Sequence, residues 1–368
     1  MKKRLVAIVM GCMLALTAVG CGAGKNAETA VESTESNAAE STEAETTSES
    51  DTEAETEGNA EDSAEETADA DDTSSSDVTT DRSGNAITLP ENVENIISMS
   101  PSTTRILIDL GLADKIVACD TYSFASYGTE LAEDIPQFDM MTPDQEQIIA
   151  LGADIVFTTG MSASHGTDVF EAVRESGVCV ADIPSSASLK DIEEDITFIG
   201  ACVGKNAEAE AIVDDMQQKI EELAEIGNSI PEEEKKTVLF ELFTPSADYP
   251  TIYTAGNGTY INEMLEIIGA KNVAASESEQ WPALSEEAAV AANPDVILTA
   301  DMYTPDVINT ILTMSGWENV NAVKNSEVYQ LSSDAVNQPN HHVIDAMIEM
   351  ATSIYPDKYE SVALDDAA

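Results

Sequence analysis

The sequence predicts an α/β protein of two similar lobes, each built on a parallel-sheet core. A long rigid backbone helix joins them, and a ligand cleft lies between them. Three observations carry this reading. First, EQIIALGADIVFTTG, beginning at Glu146, has a counterpart in EAAVAANPDVILTAD, beginning at Glu287. Each opens with a Glu and an apolar helical turn, then breaks, then resumes with an Asp and a β-rich run. The spacing from Glu146 to Asp154 equals that from Glu287 to Asp295, which makes an internal repeat. Second, NAEAEAIVDDMQQKIEELAEI (206–226) stands between the copies. Its Ala209, Ile212, Met216, Ile220, Leu223 and Ile226 recur at steps of three or four, the period of one apolar helix face. Third, strand-like and helix-like stretches alternate through most of the chain, as βαβ units and a parallel sheet require.

The elements follow in order. Residues 1–20 start with Lys2, Lys3 and Arg4 and continue as an apolar run, the pattern of a signal peptide. The run is too short to be a spanning anchor. Its end, Ala18-Val19-Gly20-Cys21, resembles a bacterial lipobox, although Ala18 stands where Leu is usual. That resemblance implies a lipidated Cys21 on the outer leaflet of the cytoplasmic membrane, facing the cell surface. Residues 21–80 are Glu, Asp, Ser, Thr, Ala and Asn with no aromatic residue, so they form an acidic tether expected to be disordered.

The N-terminal lobe is expected over 81–187. RSGNAITLP reads as a strand after a turn. NIISMSPSTTRILIDLGL reads as a strand, a cap at Ser100, Pro101 in the first turn, and a helix closed by Gly111. KIVACD is a further strand and TYSFASYG a loop. The Glu146 helix, DIVFTTG, the helix GTDVFEAVRESG and the strand VCVADIP complete the lobe. Linking helices occupy 188–231. In the backbone helix, Asn206 is placed to cap the start and Gly227 to end it. The C-terminal lobe, 232–368, opens with the strand TVLFELF. It continues through the helix GTYINEMLEIIGA, the Glu287 repeat and the strand VYQLS. The loop DAVNQPNHH then leads into the helix VIDAMIEMATSIYP. Ligands of such sheets sit beyond the carboxyl ends of the strands.

Composition excludes several functions. The formal net charge of -54 over 368 residues argues against nucleic acid as a partner. Cys119, Cys179 and Cys202 have neither disulfide nor zinc spacing and read as small core residues. GxSxG, HExxH and phosphate-cradling glycine loops are absent from the sequence.

The order of NIISMSPSTTRILIDLGL, the two repeat copies, the central helix and QPNHHVIDAM resembles one class of ABC-transporter solute-binding proteins. Its members take iron–siderophores, haem and cobalamin. The resemblance covers about 81–359. It implies a monomeric binding protein and not an enzyme, with no cofactor of its own, whose cargo is a metal chelate passed to a two-fold permease. A surface Glu on each lobe of that family pairs with Arg residues of the permease, and Glu146 and Glu287 fall at those positions. The family's first helix usually has Glu where this chain has Arg105. Arg105 therefore either reaches the cleft to meet an anionic group or pairs with one of the many acids.

Candidate ligand residues sit in loops after strands: Tyr122, Phe124 and Tyr127; Met140 and Met141; Met161 and His165; Tyr249 and Tyr253; Trp281; Met302 and Tyr303; Asn337, His341 and His342. Aromatic rings and Met can cover a flat macrocycle, and Tyr or His can ligate haem iron. The few arginines favour cobalamin, or a neutral or cationic iron chelate, over an anionic siderophore. Two other readings remain at this point: a two-lobed α/β enzyme of unrecognised chemistry, and a surface interaction lipoprotein using the acidic tether.

Overall fold

The computed structural model describes residues 78–160, 166, 168–246 and 249–362, which fall in one compact unit. The signal segment, Cys21, nearly all of the tether, Met161 and His165 lie outside the described residues.

The first sheet holds β1 (Ile96–Ser98), β2 (Ile116–Asp120), β3 (Gln137–Phe138), β4 (Ile155–Thr159) and β5 (Cys179–Ile183), in the order β3-β2-β1-β4-β5. All its pairings are parallel. The strand order reverses between β1 and β4, so the carboxyl end of that pair is a topological switch point. Helices α1 (Pro101–Asp109), α2 (Thr121–Tyr127), α3 (Gln145–Ala150) and α4 (Glu171–Glu175) connect the strands. The central strands β1 and β4 are buried on both faces, which is why Ile96-Ile97 and Ile155-Val156-Phe157 read as unbroken apolar runs rather than alternating ones. Ile97, Met99, Val156 and Phe170 form this lobe's core. Cys119, Cys179 and Cys202 are unpaired and buried, as small core residues should be.

Two long helices follow, α5 (Leu189–Val203) and α6 (Asn206–Ser229). A reciprocal pair between Ser188 and Asp191 caps α5, and left-handed Gly204 ends it. In α6 the residue at the cap is Lys205, not Asn206, and the helix runs through Gly227 instead of stopping there. Gly227 serves close packing. A Cβ at this position would lie 2.1 Å from the carbonyl oxygen of Ile267, so only glycine lets α6 press against the second lobe.

The second lobe comprises β6 (Thr237–Glu241), β7 (Ile252–Tyr253), α7 (Tyr260–Ile267), β8 (Lys271–Asn272), β9 (Ala283–Leu284), α8 (Glu286–Ala292) and β10 (Val296–Thr299). It continues with α9 (Val307–Leu312), α10 (Asn321–Asn325), β11 (Val328–Gln330), α11 (Ser333–Asn337) and α12 (Val343–Ile354). Its parallel sheet has the order β11-β10-β6-β8, and β7 pairs with β9 as a small antiparallel ribbon. Leu239, Ile297 and Trp317 lie in its core.

The repeat has a physical basis. Asp154 donates its N–H to the Asn95 carbonyl at 2.9 Å, while its Oδ2 accepts the N–H groups of Glu94 and Asn95, each at 2.8 Å. Asp295 does the same at β6. Its N–H reaches the Thr237 carbonyl at 2.9 Å, and its Oδ2 accepts from Thr237 N at 3.0 Å and Thr237 Oγ1 at 2.9 Å. In both lobes the Asp before the central strand holds the start of the lobe's first strand.

Three local expectations change. RSGNAITLP forms no strand beyond an isolated bridge at Ala86. Asp81 instead gathers the N–H groups of Ser83 and Asn85 into a turn and accepts the N–H of Asp182 in β5. TYSFASYG is helix α2, because Asp120 caps it by accepting from Tyr122 and Ser123. Part of DAVNQPNHH is likewise helical, as α11.

Candidate solute cleft

The carboxyl ends of both parallel sheets open into loops, and loops from the two lobes touch. Tyr127, at the end of α2, donates its hydroxyl to Gln338 Oε1. Gln338 Nε2 donates to Ser126 Oγ at 3.3 Å and to Asp334 Oδ1 at 2.9 Å. One edge of the cleft is therefore bridged by residues that follow β2 and β11.

On the N-terminal side the floor is a buried hydroxyl network. Thr104 Oγ1 lies 2.8 Å from Ser98 Oγ and 2.9 Å from Ser123 Oγ, and Ser123 donates to Asp120. Burial pushes the Asp120 carboxyl up, against the pull of its hydrogen bonds from Ser123 and Tyr122. Tyr122 and Met141 are half-buried against the N-terminal core, and Met140 is part of that core. Phe124 is half-buried in α2.

On the C-terminal side a group of apolar side chains stands exposed at the strand ends. Met302 is 60% exposed, Tyr249 43% and Tyr303 40%. Tyr303 stacks on Phe243 with ring centroids 6.3 Å apart. Asp301 fixes this platform. Its Oδ1 accepts from Tyr303 N at 2.8 Å and Thr304 N at 3.1 Å, and its Oδ2 from Thr244 N at 3.0 Å. One carboxylate thus ties the loop after β10 to the loop after β6. Burial opposes the charge on Asp301, but these donors outweigh it and hold the carboxyl below its ordinary range.

Beneath the platform lies Glu241, at the carboxyl end of β6. It is fully buried, and neither carboxylate oxygen has a hydrogen-bond partner among the described residues. Burial, with the Asp301 charge adding to it, pushes its carboxyl up to about 8. Trp281 and Tyr253 are half-exposed where the β7–β9 ribbon ends. Asn337 is exposed and donates to Ser333 Oγ at 3.1 Å.

Arg105 pairs with acids. It reaches Asp109 and Glu130 and stands 5.2 Å over the Tyr127 ring. His341 and His342 both turn toward Asp109. Burial opposes the Asp109 charge, but hydrogen bonds from His341, His342 and Arg105 outweigh it and hold this carboxyl well below its ordinary range. Hydrogen bonds from Asp109 and Asp345 push His342 up to about 9. No sequence motif marks Asp109, Phe243, Glu241 or Gln338 as site residues. For Asp301 a signal exists: an Asp just past the end of a strand and two residues before an aromatic is a ready acceptor for its own loop.

The candidate docking glutamates lie one on each lobe. Both are exposed in the first turn of a helix, α3 capped by Asp144 for Glu146 and α8 capped by Ser285 for Glu287. Each helix precedes a parallel strand and runs back against it, so its first turn lies at the carboxyl-end level of its sheet, the level of the cleft.

Two α/β lobes on a helical spine, with facing strand ends and an aromatic platform, define a solute-binding protein. The model of the family described as Periplasmic binding protein matches residues 96–335, and the chain belongs to this family, which binds solutes and does not transform them. The uncharacterized ABC transporter substrate-binding lipoprotein YvrC of Bacillus subtilis is 32% identical over 280 residues, covering 76% of this chain and 86% of that protein. The cobalamin-binding protein of Halobacterium salinarum is 27% identical over 286 residues, covering 75% of this chain and 73% of that one. Among solved structures, a possible iron-binding periplasmic solute-binding protein from Staphylococcus epidermidis superposes with a TM-score of 0.61. It is 27% identical, and the match covers 72% of this chain and 99% of that one.

Proposed function

We propose that this chain is the lipid-anchored, cell-surface binding component of an ABC importer, and that it captures a metal chelate of the cobalamin or iron-chelate type. The chelate is cargo, not a resident cofactor. The observation that carries this reading is the stacked pair of exposed Tyr303 and half-buried Phe243, whose loops Asp301 ties together, with Met302 and Tyr249 exposed in the same two loops. A soluble protein exposes clustered aromatic and Met side chains where it meets a partner, and a flat macrocycle offers such a surface a matching face. Relatives named for cobalamin and iron binding support the same class. The paucity of arginine, with Arg105 already engaged by acids, favours a neutral or cationic chelate over an anionic one.

Cobalamin, haem and a ferric chelate, each titrated against the purified chain, test the reading through Trp281 fluorescence. Trp317 is buried in the lobe core and is expected to stay silent. Replacing Tyr303 and Phe243 together by Ala should weaken binding of whichever chelate is held by roughly tenfold or more, because each stacked ring contributes on the order of 1 kcal/mol. Unchanged affinity in that variant would remove the platform from the site.

Cys21 and the relative named as a lipoprotein support the anchor. Cys21→Ser should release the protein from the membrane fraction, and a variant that stays bound after a salt wash would rule the lipid out. No helix among the described residues is long and apolar enough to cross a membrane. A monomer with one exposed Glu per lobe matches a permease of two like halves.

A further inference from the structure

Behind the cleft, donor atoms from both lobes converge on one point. Asp109, at the end of α1 in the N-terminal lobe, has its Oδ2 atom 2.9 Å from His341 Nε2 and 3.2 Å from His342 Nε2. Both histidines belong to the C-terminal lobe, just before α12. They also line a groove with Ala211, Ile212 and Met216 of the spine helix α6, so the cluster lies on the spine side of the lobe contact.

We infer that Asp109, His341 and His342 bind a divalent first-row transition cation of the Zn2+ type, which clamps the two lobes together. Four features support this. The three ligand atoms lie within 4.8 Å of one another. A tetrahedral ion with bonds of about 2.0 to 2.1 Å needs its donor atoms about 3.3 Å apart. The two Nε2-to-Oδ2 separations already stand within a few tenths of an ångström of that, so the ion enters with little rearrangement.

The second feature is the donor set. Two imidazole nitrogens and one carboxylate oxygen suit Zn2+, Co2+ or Ni2+, and not Mg2+ or Ca2+, which require oxygen cages. The third is support from behind. His342 Nδ1 lies 2.7 Å from Asp345 Oδ2, and this carboxylate fixes the ring so that Nε2 faces Asp109. His341 has no such partner at Nδ1 among the described residues, and it is Nε2 that the ring turns toward Asp109. The fourth is charge and access. With both imidazoles neutral, as metal ligands must be, Asp109, Glu130 and Asp345 outnumber the single guanidinium of Arg105, leaving two negative charges that a divalent cation balances. Side-chain exposures of 26% for Asp109, 17% for His341 and 36% for His342 leave a route in and a fourth position for water.

This ion is separate from any captured chelate, and its binding does not depend on which solute the cleft takes. The test titrates Zn2+ alone, then Co2+ alone, into the chelate-free full chain, with Mg2+ as control. One tight equivalent of Zn2+, a visible d–d band with Co2+ and a rise in Tm with Zn2+ are expected. His341→Ala with His342→Ala should lose at least tenfold in Zn2+ affinity and should lose the Co2+ band. The acidic segment at 21–80 stays present in that variant, so the difference isolates the cluster. Equal Zn2+ titrations for the two proteins overturn the inference. So does a wild-type chain that binds Mg2+ as tightly as Zn2+, a comparison that does not rely on the variant folding.

Discussion

Reversing both exposed glutamates, Glu146→Arg with Glu287→Arg, is expected to abolish uptake and ligand-stimulated ATPase while leaving solute affinity of the isolated protein unchanged. The two residues occupy equivalent points of the repeat, eight positions ahead of Asp154 and Asp295, as those residues are numbered. Each stands exposed in the first turn of a capped helix, and among the described residues neither forms an ion pair. A permease of two like halves needs one contact per lobe. Carboxylate to guanidinium is the pairing that supplies direction as well as energy, and desolvated pairs can each contribute a few kcal/mol. Reversal replaces two attractions by two repulsions. Single reversals should be milder, because one half of the contact survives. Normal transport by the double variant would refute the docking role. Lost solute affinity would place these glutamates in the cleft or the fold instead.

Glu241→Gln is expected to stabilise the protein by about 3 kcal/mol near pH 8 and by little near pH 4 to 5. Glu241 is fully buried, and its carboxylate oxygens have no partner among the described residues. Burial raises its carboxyl from 4.5 to about 8, so the fold favours the protonated form. Below the unfolded value both states hold the proton and the contribution is fully present. Between the two values only the folded chain holds it, so unfolding releases a proton and stability falls as pH rises. Above about 8 the contribution is gone. Holding the carboxyl at about 8 instead of 4.5 is worth about 5 kcal/mol in full, and Gln, neutral at every pH, escapes most of that loss. Asp301 titrates in the opposite sense, because its donors lower its carboxyl despite burial. The comparison is therefore the difference between the two Tm-versus-pH curves. The curves should diverge steadily from about pH 5 to 8, by several degrees at the alkaline end. Parallel curves would show that Glu241 is ionised and solvated in the folded protein.

The architecture was legible because its determinants are short-range. Strands buried on both faces need unbroken apolar runs, and Asp154 and Asp295 are needed where each central strand meets its neighbour. An apolar stripe at helical period marked the spine. Where structure and sequence pattern differ, side chains override the local backbone signal. Asp120 turns a low-propensity segment into α2, and Asp81 folds an apparent strand into a turn. Gly227, a stop signal in isolation, is retained inside α6 because of what packs against it.

The cleft itself was half legible. Tyr303 and Met302 were visible as aromatic and Met residues after a strand. The partner ring of Phe243 and the bridge from Tyr127 to Gln338 were not, since the bridge joins residues 211 apart in the chain. For Arg105, composition left open a cleft role or an acid partner, and only the fold shows Asp109 and Glu130 beside it.

The central claim is that a metal chelate occupies the cleft between the lobes. Its most direct test is native mass spectrometry, with an absorption spectrum, of the chain recovered from its own host. The account predicts one bound corrinoid or iron chelate per monomer, a matching chromophore, and a lower occupancy of both in the Tyr303→Ala, Phe243→Ala variant. A chain that emerges without such a ligand, and binds none when cobalamin, haem or ferric chelates are supplied, would contradict it.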